Sequence, residues 1–95
     1  MNGTALGLIE TLGLIGLIQA LDAMLKAATV EVASSVIKLD GGIVSVMVRG
    51  DTSSVRAAIE AGAEAARRVG ELRAAHVIPR PDSTVVRVFG GGAAR

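Results

Sequence analysis

The side chains that could carry out chemistry are few in this 95-residue chain, and they are scattered. His76 is the single histidine, and its apolar neighbours include no His, Asp or Glu that would complete a metal site or a proton relay. Ser34 and Ser35 have no general base beside them in the sequence, so a nucleophilic role is not favoured. We therefore predict a structural histidine near an interface and strand or bulge serines, with no catalytic, metal-binding or cofactor-binding residue.

The glycine run at residues 90–92 does not have the pattern of a phosphate-binding loop. Such a loop needs a Lys and a Ser or Thr after its glycines, and a helix behind them. The run has neither in the sequence, so we expect residues 89–95 to form a flexible tail. The chain also has no cysteine, which excludes disulfides and thiolate metal sites and fits a reducing cytoplasm.

Charge and aromatic content argue against nucleic acid as a partner. Ten basic and nine acidic residues are dispersed along the chain and give a net charge of +1. Phe89 is the single aromatic residue, so no stacking platform for bases is present. Neither a basic patch nor aromatic anchors support a nucleic-acid interface.

The apolar content exceeds what one small core needs. Hydrophobic residues make up 51% of the chain, and the mean hydropathy is +0.54. The uncharged stretch at residues 11–21 falls short of the roughly 20 residues that cross a bilayer, and no signal-peptide pattern surrounds it. We therefore expect no membrane association and expect neighbouring subunits to cover the excess apolar surface.

The first third of the chain predicts a strand followed by an amphipathic helix. Residues 4–11 are small and apolar, and Gly13 and Gly16 follow them. Apolar residues then recur at helical spacing, namely at Leu14, Leu17, Ile18, Leu21, Met24, Leu25 and Ala28. This stripe is widened by Ile15, Ala20, Ala23 and Ala27. We expect the helix to have a second buried side at a subunit boundary.

The remaining elements follow from β-branched runs, glycines and capping residues. Residues 30–38 and 43–49 are joined by the short segment 39–42 and predict a hairpin. Candidate caps at Asp51, Thr52 and Ser53 precede a helix that runs to Val69, and Gly70 fits the position after a helix end, where left-handed backbone is common. We further predict a strand over 71–78 and a short helical turn, capped by Asp82 or Ser83, that ends near residue 88.

This order of elements is βαββαβ. It predicts an α+β fold of the ferredoxin-like type, with an antiparallel sheet and helices packed on one face. The predicted domain spans residues 4–88. Because this arrangement serves many unrelated activities, the fold alone assigns no function.

Four segments carry a more specific pattern. They are ALGLIET (residues 5–11) with GL (13–14), AMLKAA (23–28), VMVRGD (46–51), and VGE (69–71) with AHVIPRP (75–81). In this order and at these separations, they resemble the hexamer-forming, single-domain shell proteins of bacterial microcompartments. The resemblance covers residues 4–88 and implies a bacterial microcompartment shell domain.

The resemblance implies a structural role and several site residues. Family members form hexagonal plates that tile edge to edge around encapsulated enzymes in the bacterial cytoplasm. It implies a homohexamer whose partners are other hexamers, other shell proteins of the same compartment and the encapsulated enzymes. The implied contacts between hexamers are at Lys26, Thr29, Pro79, Arg80 and Pro81. The implied lining of the central pore is Leu39, Asp40, Gly41 and Gly42.

This chain departs from the family pattern at two places. It is one residue longer near residues 33–36, which a β-bulge in the second strand would accommodate. Its loop has Asp40-Gly41-Gly42 where family members often have Gly-Ser-Gly. One hypothesis is that a ring of Asp40 carboxylates favours cations and neutral molecules in the pore. The other is that Asp40 only shapes the turn, a common task for Asp before Gly.

Two other functional classes compete with the shell role. A ferredoxin-like regulatory module would bind a small metabolite at a subunit interface, and it would form a ligand-responsive dimer or trimer. An enzyme with a site shared between subunits is disfavoured, because acid and base groups are so sparse. A hexamer that grows into sheets would separate the shell role from both.

Overall fold

The computed structural model describes residues 4–90, which form an antiparallel sheet with two long helices packed on one face. The strands are β1 (Ala5–Leu12), β2 (Glu31–Val32), β3 (Ile37–Lys38), β4 (Ile43–Gly50) and β5 (Glu71–Ile78). The helices are α1 (Leu14–Ala27), α2 (Thr52–Val69) and the short α3 (Ser83–Val85), after which a π-helical turn covers Val86–Gly90. The predicted fold class is confirmed.

Strand β1 is central and sets the two ends of the sheet. It pairs with β4 on one side and with β5 on the other, both antiparallel, while β2 and β3 both pair with the far edge of β4. At one end Leu12 lies opposite Ile43 and Glu71. At the other end Ala5 lies opposite Gly50, and the next residue, Leu6, lies opposite Ile78.

The core lies between the sheet and the two long helices. Ile9 of β1 and Val46 of β4 are buried against Leu17 of α1 and Val55 of α2. A Cβ on Gly7 would lie only 2.7 Å from Val55 Cγ1. Helix α2 therefore packs so closely on β1 that a residue larger than glycine would not fit at this position. Small residues thus allow a thin, closely packed core in a short chain.

The second strand of the predicted hairpin is broken. Val32 pairs with Val48 and Ile37 with Ser45, so four residues of one strand lie opposite two of the other. The segment between β2 and β3 therefore has two more residues than the part of β4 that faces it. This irregularity lies where the sequence predicted a bulge. Within it, Ala33 N–H donates to the Met47 carbonyl at 2.8 Å, and Met47 N–H donates to Ser34 Oγ at 3.0 Å. Ser34 thus satisfies a backbone donor that the broken ladder would leave unpaired.

Helix α2 begins at a side-chain cap and ends without a left-handed residue. Asp51 Oδ1 accepts from Ser54 N–H at 2.8 Å and from Ser53 Oγ at 2.9 Å. These bonds, above all the one from the Ser54 backbone, hold the pKa of Asp51 below its ordinary value. Gly70 follows the helix as its C-cap residue, and its backbone is not left-handed. Its φ is −170°, which is extended backbone, because β5 starts at the next residue.

The C-terminal turn packs on the face of the sheet that the long helices leave uncovered. Asp82 caps it by accepting from Thr84 N–H at 2.8 Å. The turn continues as π-helix to Gly90, two residues past the predicted domain boundary at 88. Residues 91–95 of the predicted tail lie outside the described residues.

Candidate functional site

The segment 39–42 is held in place by backbone interactions. Gly41 and Gly42 have φ values of 81° and 83°, which residues with a Cβ rarely adopt. Leu39 N–H donates to the Ile43 carbonyl at 2.8 Å and closes the turn. Gly13 N–H donates to the Gly42 carbonyl at 2.8 Å and ties the loop to the start of α1. We call this end of the sheet the loop end.

The Asp40 side chain takes no part in these interactions. It is exposed, and its carboxylate has no hydrogen bond or ion pair within residues 4–89. A turn-shaping aspartate would accept a bond from a backbone N–H of its own turn. That bond is absent here, so the loop conformation does not depend on the carboxylate. Lys38, also exposed, precedes it by two residues and forms no ion pair with it.

The segment 79–81 lies at the opposite end of the sheet, which we call the proline end. It follows Ile78, the last residue of β5, and both Pro79 and Arg80 are exposed, whereas Pro81 is half-buried. Thr52 Oγ1, at the start of α2, donates to the Pro79 carbonyl at 3.4 Å. Because φ of proline is restricted, Arg80 projects from a stiff segment.

Lys26 and Thr29 lie at this same end. Helix α1 starts at the loop end beside Gly13 and runs back along the sheet, so its C-terminus reaches the proline end. The Thr29 carbonyl lies 3.2 Å from the position of a Cβ on Gly50, the last residue of β4. The Lys26 ammonium lies 2.9 Å from an Asp22 carboxylate oxygen, and both side chains are exposed.

The sequence-predicted site residues therefore fall into two groups at opposite ends of the subunit. Strand β1 joins the ends with eight residues, which at about 3.3 Å per residue separates them by roughly 23 Å. The described chain measures 35 × 27 × 20 Å, so this separation is large on the scale of the subunit. The structure does not bring the two groups together.

Helix α1 presents an uncovered apolar face. Its buried residues are Gly16, Leu17, Ala20 and Met24. Its exposed large apolar residues are Leu14, Ile15, Ile18 and Leu25, with Ile15 70% exposed. The sequence predicted an apolar stripe wide enough for two buried sides, with Ala20 among the residues that widen it. In the structure Ala20 faces the core, and the larger Leu14, Ile18 and Leu25 face outward.

An apolar groove lies on the side of the sheet away from the long helices, and the sequence analysis missed it. It has a volume of about 260 Å³ and is lined by Leu6, Leu8, Met47, Ile78, Val85 and Phe89. Its walls come from five separate elements, so no single stretch of sequence signals it. His76 pairs with Leu8 on this face and is exposed.

The described residues offer no constellation for catalysis. Within 4–90, no cluster of three or more His, Asp or Glu residues could hold a metal ion. No helix in the same range is long and apolar enough to span a bilayer. What the geometry offers is a backbone-fixed loop at one end, an exposed cation on a stiff segment at the other, and a broad apolar helix face between them. Such features suit assembly of identical copies.

Comparisons with known proteins agree with this geometry. The bacterial microcompartment shell protein EutM of Salmonella typhimurium is 53% identical over 85 residues, which cover 90% of this chain and 88% of that protein. The shell protein PduA of Citrobacter freundii is 49% identical over 92 residues, covering 97% and 98%. The carboxysome shell protein CsoS1C of Hydrogenovibrio crunogenus is 52% identical over 91 residues, covering 95% and 88%.

A solved structure of a microcompartments protein from Desulfitobacterium hafniense superposes with a TM-score of 0.76 at 28% identity. The match covers 86% of this chain and 44% of that protein, so this chain spans less than half of its length. The family model described as the BMC domain matches residues 5–81. These matches show that the chain belongs to the BMC-domain family of microcompartment shell proteins.

Proposed function

We propose that this protein is a structural tile of a bacterial microcompartment shell, that it forms a homohexamer, and that small metabolites cross a pore on the sixfold axis. The observation that carries the proposal is the separation of the two groups of site residues. In a plate with rotational symmetry, one end of each subunit faces the axis and the other faces the rim. The loop end and the proline end lie about 23 Å apart along the strands, as that arrangement requires.

The exposed face of α1 supports assembly into a closed ring. Four large apolar side chains on one helix form a patch that a stable monomer rarely exposes. A neighbouring subunit that covers them would remove apolar area from water on every contact of the ring. Interfaces of this kind bury on the order of 1,000 Å² or more and are obligate.

The loop end supports the pore assignment. Leu39, Asp40, Gly41 and Gly42 are all exposed, and the glycines carry no side chains that would block an opening. Their backbone is fixed by two hydrogen bonds of 2.8 Å, so copies around an axis would present the same geometry. A ring of unpaired Asp40 carboxylates at this position favours cations and neutral polar molecules over anions, consistent with a neutral or amine-bearing substrate.

The proline end supports contacts between tiles. Lys26, Thr29, Pro79 and Arg80 are exposed together at this end, with Pro81 half-buried beside them. Arginine between prolines loses little conformational freedom on docking, and its guanidinium suits carbonyl or carboxylate acceptors on a neighbouring plate. The partners in this proposal are other hexamers, other shell proteins of the compartment and the enclosed enzymes, all in the bacterial cytoplasm.

The absence of catalytic groups among the described residues is compatible with this role, and the relatives that match over nearly the whole chain are named as shell proteins. A metabolite-binding regulatory module has no equivalent support. The apolar groove contains no polar group that would orient a metabolite.

Light scattering coupled to size exclusion tests the oligomer directly. We expect about six times the chain mass of 9.6 kDa, or larger assemblies at low salt. Negative-stain microscopy of the same fractions should show flat sheets or tubes with a hexagonal repeat. A monomer that persists at all concentrations, or a dimer or trimer that responds to a small ligand, would contradict the proposal.

A further inference from the structure

We infer that the Glu31 carboxylate is the acceptor for Arg80 of a neighbouring tile. The inference rests on the proposed function, because the position of Arg80 at the rim of the tile is taken from there. What it adds is the receiving site on the facing copy, a pocket at the proline end with Glu31 in its wall.

The pocket lies beside Gly50, the last residue of β4. It has a volume of about 210 Å³ and is lined by Thr4, Thr29, Val30, Glu31, Arg49 and Gly50. A water molecule takes about 30 Å³ of liquid, so the space accommodates the four heavy atoms of a guanidinium group. Its wall combines a carboxylate with two threonine hydroxyls, all of which accept hydrogen bonds. Such a lining suits a group with several N–H donors.

Arg49 holds the Glu31 carboxylate in a defined orientation. Its Nε and Nη2 atoms donate to the same oxygen, Oε1, at 3.3 Å and 3.1 Å. The Arg49 side chain is only 16% exposed, whereas the Glu31 side chain is 73% exposed. The other oxygen of Glu31, Oε2, accepts no hydrogen bond from any residue in 4–89. One oxygen is therefore anchored inside the subunit, and the second is available to a donor from outside.

The other acids near this end are less suited to receive a cation. Asp51 uses both of its carboxylate oxygens at the start of α2, where Ser53 and Ser54 donate to them. Asp22 pairs with Lys26 within its own subunit. Asp82 caps the C-terminal turn and does not line the pocket. Glu31 is thus the acid that combines an unbonded oxygen with a pocket.

Arg80 has the complementary properties. It is exposed, and its guanidinium forms no ion pair or hydrogen bond with the residues that the structure describes. It does not pair with Glu31 of its own subunit, so the two charges remain open to a second copy. A guanidinium presents five donors in a planar fork, which matches a carboxylate oxygen and nearby hydroxyls better than a lysine ammonium does.

The symmetry of an edge contact makes this pairing reciprocal. When two identical edges meet across a twofold axis, any residue that contacts a site on the other copy also receives the equivalent contact. Each contact would therefore contain two Arg80–Glu31 pairs. In each pair the carboxylate lies between two guanidinium groups, with Arg49 bound to Oε1 and Arg80 of the facing copy at Oε2. The separate oxygens keep the two cations on different sides of the acid.

The chain contains a matched control for this inference. Glu64 and Arg68 on α2 form an exposed ion pair at 3.1 Å, with side chains 67% and 70% exposed. Helix α2 starts at the proline end and finishes near the loop end, so this pair lies away from the pocket. Glu64→Gln removes an exposed acid from an arginine partner, as Glu31→Gln does, but it leaves the pocket unchanged.

The experiment is a double-mutant cycle on the full chain with Glu31→Gln, Arg80→Gln and the variant that carries both. Light scattering measures the hexamer mass, and microscopy with turbidity at low salt measures the lowest protein concentration that forms sheets. We expect hexamers throughout. Arg80→Gln should raise the threshold concentration about tenfold, and Glu31→Gln about fivefold. The double variant should stay at about tenfold, whereas independent effects would multiply to about fiftyfold.

This cycle separates an acceptor from an acid that only supports its own subunit. If Glu31→Gln acted only by weakening the bond to Arg49, its effect would multiply with that of Arg80→Gln. A threshold near fiftyfold for the double variant would therefore overturn the inference, and it would show that Arg80 contacts a different group. An unchanged threshold for Glu31→Gln, or an equal rise for Glu64→Gln, would also overturn it while leaving the tile proposal intact. Failure of the parent to form sheets would overturn both.

Discussion

The two ends of the sheet are held by different kinds of interaction. At the loop end, two backbone hydrogen bonds and two glycines with positive φ determine the conformation, and the Asp40 carboxylate is bonded to none of the residues that the structure describes. At the proline end, side chains carry the specific features: prolines stiffen the segment around Arg80, and Asp22 pairs with Lys26. Because backbone interactions fix the loop, its exposed side chain can be substituted without changing the loop conformation. In the proposed edge, by contrast, each substitution would change the surface that a neighbouring copy contacts.

The largest effect that this comparison predicts is at the proline end. Lys26→Asp places an acid beside Asp22 and removes the ammonium donor from the edge. An uncompensated charge in a desolvated contact costs a few kcal/mol, and the contact recurs on every edge of the plate. We expect sheets to disappear in microscopy while light scattering still shows hexamers. Arg68→Asp, on α2, is the control and should still form sheets. Sheets in both variants would show that Lys26 is not at the edge.

Arg80→Ala should weaken the same contact less severely. The substitution removes a charge-assisted donor from the stiff segment, a loss of roughly 1.5–3 kcal/mol for each bond broken. Sheet formation should then require higher protein concentration rather than vanish. Arg67→Ala, which removes an exposed arginine from α2, should leave the threshold concentration unchanged. If Arg67→Ala and Arg80→Ala behave alike, the proline end has no special role in tiling.

A change at the loop end should reduce stability without removing the edge contact. A Cβ at Gly41 would meet nothing within 4 Å, so Gly41→Ala reports on the positive φ alone. The left-handed conformation costs a residue with a Cβ about 1–2 kcal/mol. We expect a lower urea midpoint, measured at one fixed protein concentration.

Gly70→Ala is the control for that experiment, because Gly70 has extended backbone and its nearest atoms lie at ordinary contact distance. It should lower the midpoint less than Gly41→Ala does. An equal loss in the two variants would show that positive φ is not what requires glycine in the loop.

The smallest structural effect, and the sharpest functional one, is expected for Asp40→Asn. The carboxylate forms no hydrogen bond with any residue in 4–89, so the variant should unfold at the parental urea concentration. Shells assembled from it should take up a small cation less readily, relative to an anion of similar size, than parental shells do. The difference should fade as salt screens charges beyond about 10 Å near 0.1 M. An unchanged uptake ratio would show that Asp40 does not determine selectivity.

Local patterns in the sequence were enough to predict the order of the elements and the family. Helical spacing from Leu14 and alternation in the β-branched runs depend on neighbours a few residues apart, so both are visible without a structure. Asp51 was among the predicted caps for the same reason. Asp22 had a detectable signal as well, since an acid four residues before Lys26 is a known stabilising pair.

The tertiary structure decided how those elements meet. The sequence could not predict the two-residue shift around Ser34, because register depends on which backbone groups of β4 find partners. Nor could it assign Ala20 to the core and Leu25 to the surface. Both residues lie in the apolar stripe, and the close approach of α2 at Gly62, where a Cβ would lie 2.7 Å from Met24 Cγ, determines which part of that stripe is covered.

The amino-acid sequence alone was enough to identify the helices and strands and the residues that mark the family. The placement of the 39–42 loop and the 79–81 segment at opposite ends of one subunit was determined by strand pairing alone. Antiparallel neighbours on both sides of β1 bring residues far apart in the chain to the same end, and they keep Leu12 and Ala5 a full strand length apart. The hydrogen bonds that pair these strands join segments far apart in the chain, so local periodicity in the sequence does not reveal which ends meet.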